Sequence, residues 1–205
     1  MKKIVIFGST GSIGTTLLNL IKKDKKNFKI ELISANKNYK KLIKQAEYFK
    51  VKNLIIADKD SFLKAKKIIK KKNINIYNSY DDIDKIFKNK IDYTMSSVSG
   101  LSGLNSTMKI IKFTKNIAIA NKESIICAWN LIEKELIKHK TNFIPIDSEH
   151  FSIWSLIGNT PTCKVDKIII TASGGPFLNH PFNKFDKINI KDALKHPNWS
   201  MGKKI

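Results

Sequence analysis

The first two thirds of the chain alternate short apolar segments with amphipathic ones, and this rhythm restricts the fold more than any other feature. Ile4–Phe7 reads as a strand, Ser12–Lys23 as a helix, Phe28–Ser34 as a strand and Tyr39–Lys50 as a helix. Asn53–Ala57, Ile74–Tyr77, Ile91–Met95, Asn116–Ala120 and Asn142–Ile146 read as further strands. Helical patterns over Ser61–Lys71, Leu101–Phe113 and Glu123–Lys140 lie between most of them. Strands joined by helical crossovers pair in parallel, and a parallel sheet needs helices on both faces. The pattern predicts an α/β fold: a Rossmann-like, doubly wound parallel sheet over residues 1–146.

After Asp147 the rhythm changes. A helix is expected over Ser148–Ile157, a turn at Gly158-Asn159-Thr160-Pro161, a strand at Lys167–Thr171 and a short helix at Ile190–Lys195. Residues 147–205 are read as the start of a second, α+β domain that the sequence does not complete.

The net charge of +21 is high enough to suggest a nucleic-acid partner, but its kind argues against one. All 38 basic side chains are lysine, spread along the chain and often on the solvent side of amphipathic helices. Proteins that read bases or grip phosphates bidentately rely on arginine. A solvated lysine surface is expected, with no nucleic-acid partner. Cys127 and Cys163 stand apart from each other and from any metal-spaced histidine, as free thiols in a reducing compartment do. No signal-peptide pattern opens the chain and no apolar run reaches the ~18 residues of a membrane span. A soluble cytoplasmic protein without a membrane partner is the expectation.

The first strand runs straight into Gly8-Ser9-Thr10-Gly11-Ser12-Ile13-Gly14 and a helix. Glycines at this spacing permit a sharp turn, close approach of a pyrophosphate and tight helix–strand packing, while the helix N-terminus offers N–H donors to phosphate. The end of the second strand reads Ser34-Ala35-Asn36-Lys37-Asn38. NAD enzymes place an acid here for the ribose 2′-hydroxyl. Its absence, with Lys37 and two amides present, favours NADPH.

A second chemical signal follows the apolar run Phe143-Ile144-Pro145-Ile146, in Asp147-Ser148-Glu149-His150. Two carboxylates two positions apart at a strand end share a face and repel unless a cation offsets them. Hard cations such as Mg²⁺ or Mn²⁺ take such ligands. The plainer alternative is a helix cap, with Asp147 or Ser148 capping and Glu149 in the first turn.

Together with Ala120-Asn121-Lys122-Glu123-Ser124, Ser173-Gly174-Gly175-Pro176-Phe177 and His196-Pro197-Asn198-Trp199-Ser200-Met201-Gly202, these motifs resemble the 1-deoxy-D-xylulose 5-phosphate reductoisomerases in order and approximate spacing. The resemblance implies an NADPH- and metal-dependent enzyme of isoprenoid biosynthesis acting on a phosphorylated deoxy-ketose, with Mg²⁺, Mn²⁺ or Co²⁺ as the metal. Thr10, Gly11, Ser12 and Ile13 would hold the pyrophosphate; Asn36, Lys37 and Asn38 the ribose phosphate, although the family more usually has Gly at the place of Asn36. Asn121 and Glu123 would face the nicotinamide half, and Gly202 would lie near the cofactor. Asp147 and Glu149 would bind the metal. Lys122, Ser148, Glu149, Ser173 and His196 would contact substrate, and Lys122, Asp147, Glu149 and His196 would carry catalysis. His196 would belong to a loop that closes over the site, in which Trp199 either covers the ligand or packs the loop to the core. The family further implies a homodimer, and a third glutamate ligand with more phosphate-binding residues beyond Ile205. An isolated 205-residue fragment is therefore expected to bind NADPH without measurable turnover.

Overall fold

In the computed structural model, which describes residues 1–69, 73–158, 160–171 and 174–195, the strand–helix rhythm becomes one parallel sheet. The strands are β1 (Lys2–Phe7), β2 (Phe28–Ala35), β3 (Asn53–Ile56), β4 (Asn75–Tyr77), β5 (Ile91–Ser96), β6 (Thr114–Ile119) and β7 (Asn142–Pro145). Among the described residues they form one seven-stranded sheet in the order β4-β3-β2-β1-β5-β6-β7, each neighbouring pair parallel. The chain winds outward from β1 to β4, then returns past β1 to build β5 to β7. The order therefore reverses between β1 and β5, where ligands sit in doubly wound sheets.

Each central strand is buried on both faces, which explains apolar runs in place of a polar–apolar alternation. In β1, Ile4 and Ile6 join a core with Leu18 and Ile21 of α1 (Ser12–Lys23), Leu42, Ile43 and Ala46 of α2 (Tyr39–Phe49), and Ala65 and Ile69 of α3 (Lys59–Ile69). Val5 and Phe7 point the other way. They join Ile110 and Ile111 of α5 (Ser102–Ile111) and Ile132 and Leu136 of α6 (Lys122–Lys138). Val5, Ile6 and Phe7 are fully buried, each worth about 1.5–3 kcal/mol of transfer free energy.

A stretch without strong periodicity, residues 79–86, also packs on this second face. A 3₁₀ turn, Tyr80–Asp82, runs into the short α4 (Ile83–Ile86), and Tyr80 and Ile83 are buried. The Phe7 and Tyr80 rings meet edge to face, 5.1 Å between centroids. α6 is kinked at Ala128, whose φ of −142° and ψ of 26° leave the helical region.

The chain divides into two compact units, Met1–Ser155 and Leu156–Ile205. The first holds the sheet, its helices and most of α7 (Ser148–Ile157). Among the described residues of the second are 3₁₀ turns at Thr162–Lys164 and Phe182–Lys187 and the short α8 (Ile190–Ala193), capped reciprocally by Asn189 and Asp192. The strand expected at Lys167–Thr171 does not form. Ile168, Ile169 and Ile170 are 54%, 70% and 65% exposed, and no described segment offers them a ladder partner. High β propensity without a partner strand does not make a strand. The expected helix Ile190–Lys195 likewise ends early, at Ala193.

Candidate functional site

Because every strand of the sheet runs the same way, the residues just past their carboxyl ends collect along one edge. There lie the glycine loop after β1, Asn36–Asn38 after β2, Val98–Gly100 after β5, Asn121–Glu123 after β6 and Asp147–Glu149 after β7. All of them belong to the first unit. Two cavities, of about 310 and 400 Å³, open at the opposite edge, beside Phe28 and Phe143, and hold none of the expected site residues.

The glycine loop has the shape the sequence requires. Gly8 has a φ of +72°, and a Cβ there would come within 2.6 Å of the Ser97 carbonyl oxygen. Gly14, already helical, is pressed onto the loop: its added Cβ would meet Gly8 O and Ser9 Cα at 2.5 Å. α1 starts at Gly11 without a side-chain cap and without an acid in its first turn. Its first N–H groups therefore lack acceptors within the helix, whereas α2 and α6 are capped by Asn38 and Asn121. Gly11, Ser12 and Ile13 are exposed around these donors. An uncapped helix start under an open glycine loop fits a pyrophosphate.

Buried hydroxyls hold the loop from behind. Gly8 N–H donates to Ser34 Oγ at 3.1 Å, Ser34 Oγ meets the Tyr80 hydroxyl at 3.0 Å, and Ser9 N–H donates to Ser34 O at 2.9 Å. From α2, Gln45 and Ser9 exchange two hydrogen bonds: Ser9 Oγ to Gln45 Oε1 at 2.8 Å, and Gln45 Nε2 to Ser9 O at 3.0 Å. Lys41 Nζ donates to Thr10 O and Thr15 Oγ1, both at 2.9 Å. The sequence reading missed Ser34, Lys41, Gln45 and Tyr80. A signal existed in α2, where Lys41 and Gln45 share the stripe that carries the buried Leu42 and Ala46.

At the end of β2, Asn36, Lys37 and Asn38 stand exposed after the buried Ala35. Asn38 Oδ1 caps α2 by accepting the Lys41 N–H at 3.2 Å. The acid at this corner is Asp58, whose Oδ2 accepts the Ser61 N–H at 2.9 Å and so serves the start of α3.

Asn121 is 3% exposed and heavily engaged. Its Oδ1 accepts the Ser124 N–H at 3.2 Å, while Nδ2 donates to Val98 O at 2.8 Å and to Gly100 O. Both amide hydrogens tie the start of α6 to the loop after β5, so a cofactor contact by this side chain is left to a lone pair of Oδ1. Lys122 is exposed and Glu123 half-buried in the same helical turn.

β7 ends at Pro145 and α7 begins at Ser148, so Asp147 and Glu149 do not share a strand face. Asp147 caps the helix, its Oδ1 accepting the His150 N–H at 3.1 Å and meeting His150 Nδ1 at 2.6 Å. Partial burial opposes ionisation of Asp147, but the backbone N–H and ring of His150 outweigh it and hold the carboxyl below its ordinary value. Ser148 Oγ donates to Glu149 Oε2 at 3.0 Å, and Ser148, Glu149 and His150 are exposed. Two carboxylates and a hydroxyl on one helical turn are hard oxygen donors that fit part of a Mg²⁺ or Mn²⁺ shell. Among the described residues no set of three or more His, Cys, Asp or Glu converges. Ser173, His196, Trp199 and Gly202 lie outside the described residues.

Switch point, glycine loop and uncapped helix define a doubly wound α/β domain of the dinucleotide-binding class. Residues 4–129 match the family model described as 1-deoxy-D-xylulose 5-phosphate reductoisomerase, and residues 143–205 match the model of that enzyme's C-terminal domain. The chain belongs to the 1-deoxy-D-xylulose 5-phosphate reductoisomerase family. It is 63% identical to the reductoisomerase of Pelagibacter ubique over its whole length and 42% identical to that of Clostridium tetani. It spans about half the length of these curated relatives, 53% and 54%. The structure of the Zymomonas mobilis enzyme in complex with NADPH superposes with a TM-score of 0.87 at 31% identity, over 96% of this chain and 52% of that one. A reductoisomerase in complex with NADPH, fosmidomycin and magnesium gives 0.86 at 28% identity, over 99% of this chain and 53% of that one. Among the described residues no helix is long and apolar enough to cross a membrane.

Proposed function

We propose that this chain supplies the cofactor- and metal-binding part of a reductoisomerase that converts 1-deoxy-D-xylulose 5-phosphate to 2-C-methyl-D-erythritol 4-phosphate. One observation carries the reading. The glycine loop, the acid-free end of β2, the start of α6 and the Asp147–Glu149 turn all lie along one sheet edge. That edge is where a doubly wound fold binds ligands.

In this reading Thr10, Gly11, Ser12 and Ile13 hold the pyrophosphate through the Ser12 and Ile13 N–H groups, while the Gly11 N–H donates to Gly8 O at 3.0 Å and keeps the loop closed. Asn36, Lys37 and Asn38 hold the ribose phosphate. The start of α6 orients the nicotinamide half through Glu123 and Asn121, and the exposed Lys122 presents its ammonium to the substrate. Ser148 donates to the substrate, and Asp147 and Glu149 hold a divalent metal. Such a metal stabilises negative charge developing on ketone and hydroxyl oxygens, and NADPH supplies the hydride. Ser173, His196 and Gly202 complete the proposed site on the strength of the family motifs. A cytoplasmic setting and the family's homodimer accompany this reading.

The test is a fluorescence titration with NADPH, followed by NADPH oxidation at 340 nm with 1-deoxy-D-xylulose 5-phosphate and Mn²⁺, on this chain and on Asp147→Asn. Binding is expected, and any oxidation must be lost in the variant. Binding without oxidation would confine this chain to the cofactor half of the reaction. Absence of NADPH binding would refute the reading.

A further inference from the structure

Resting on the cofactor assignment above, we propose that Lys41 is a specificity-determining cation of the dinucleotide site, selecting a dinucleotide that carries a 2′-phosphate. Helical spacing puts it on the inward stripe of α2, and the hydrogen bonds of its side chain mark it out among 38 lysines.

Lys41 is the third residue of α2, three positions past the Asn38 cap that ends the acid-free segment Asn36–Asn38 after β2. Its side chain does not run into solvent. It reaches back to the phosphate loop, where Nζ donates to Thr10 O and to Thr15 Oγ1. One helical turn on, the paired bonds between Gln45 and Ser9 fasten the same face of α2 to the same loop. This second attachment fixes the register of the helix, so the ammonium is held in place.

The ammonium is thus held against the phosphate loop by the helix that follows Asn36–Asn38. In doubly wound dinucleotide sites the adenosine ribose lies between the phosphate loop and the end of the second strand, its 2′ substituent directed at that end. An ammonium has three donor hydrogens. Two go to Thr10 and Thr15, which leaves one, and both acceptors are neutral. Among the described residues no carboxylate forms an ion pair with Lys41. A fixed, uncompensated positive charge discriminates strongly between a 2′-phosphate, with about −1.5 to −2 charge at neutral pH, and an uncharged 2′-hydroxyl. Lys37 is exposed at the end of the second strand, where Asp58 is taken up by the Ser61 N–H.

The experiment compares the wild-type chain with Lys41→Met, Lys41→Gln and Lys41→Arg, titrating each with NADPH and with NADH by fluorescence and checking each fold by thermal melting. A charged hydrogen bond lost from the bound state corresponds to roughly ten- to a hundredfold in affinity. NADPH binding to Lys41→Met is expected to weaken by about that factor, NADH binding by less than about threefold, and Lys41→Arg to keep most of the preference. Lys41→Gln keeps a donor within reach of Thr10 but removes the charge. If Lys41→Met fails to fold, the same fall in the NADPH-to-NADH ratio must appear in Lys41→Gln. Equal losses for the two dinucleotides would make Lys41 a fastener of the loop and overturn the selectivity. No loss for either would overturn the proposal outright. A wild-type chain that binds neither dinucleotide would fail the cofactor assignment itself, and this inference with it.

Discussion

Replacing Gly14 by alanine tests whether the phosphate loop is held by close packing. Gly14 lies within α1 and needs no positive φ, so intrinsic helix propensity favours alanine there by about 1 kcal/mol. The structure predicts the opposite outcome. A Cβ would meet Gly8 O and Ser9 Cα at 2.5 Å and Ser9 C at 2.9 Å, all backbone atoms that cannot rotate away. Restoring ordinary contact requires the helix to move from the loop by up to about 0.9 Å. Overpacking of this kind costs about 1–3 kcal/mol. Set against the propensity gain, the net loss comes to as much as about 2 kcal/mol, or up to roughly 8 °C in melting temperature for a unit of this size. The same displacement moves the Ser12 and Ile13 N–H groups from where a pyrophosphate needs them, so NADPH affinity should fall about tenfold or more. Gly11→Ala is the control, because its Cβ meets only Gly8 O, at 3.3 Å. It should melt close to wild type. Circular dichroism melts and NADPH titrations on both variants decide the matter. A Gly14→Ala chain as stable as the wild type, with unchanged NADPH binding, would refute the packing argument.

Asn121→Ala removes one acceptor and two donor interactions at a buried position. It should cost about 2–4 kcal/mol, seen as a melting temperature lowered by roughly 5–15 °C; a loss under about 1 kcal/mol would show that the amide is not the tie between α6 and the loop after β5. Asp147→Asn keeps a side chain well suited to capping α7 but removes a charge, so the melt should hold while Mn²⁺ affinity, measured by calorimetry, falls at least about tenfold; unchanged Mn²⁺ binding would count against Asp147 as a ligand. The Asp92 carboxyl is held below its ordinary value by Lys115 Nζ and the Lys3 N–H, both at 2.9 Å. A depressed folded-state value gives stability that is present above the unfolded pKa of about 4 and is lost as pH falls through the folded one, so Asp92→Asn should flatten the decline of stability between about pH 5 and 3; an unchanged slope would refute this.

The sheet was legible because a parallel sheet writes itself as apolar runs between helical crossovers, and α1 and α7 fall on the expected residues. Boundaries shifted where local polarity misled: β6 starts at Thr114, not Asn116, since Thr114 is buried and its hydroxyl bonds Asn116 O. The turn and short helix at residues 80–86 were missed because their apolar residues, Tyr80 and Ile83, are too few to set a period. Lys167–Thr171 failed for a different reason. A strand depends on its partner, and a run of isoleucines carries no information about whether one is within reach.

The phosphate site was legible only in its outer part. Glycine spacing and a missing acid are local facts, readable along the chain. The side chains that hold the loop in place come from β2, the 80–86 turn and α2, positions 26 to 46 residues apart from their partners or from the loop. Nothing local in Ser34 or Tyr80 says what they will face, and the helical stripe of Gln45 says only that it points inward. The Asp147–Glu149 pair shows the converse. Strand parity placed both acids on one face, but the strand ends two residues before Asp147, and an N-terminal helical turn does the placing. A helix start attracts carboxylates through its own dipole, so the cap explains these two acids without any metal. Cap and ligand are compatible at Asp147 as well, because His150 engages Oδ1 and a carboxylate has a second oxygen. What separates the two roles is charge: a neutral amide still caps a helix, but it is a much weaker ligand for a hard dication.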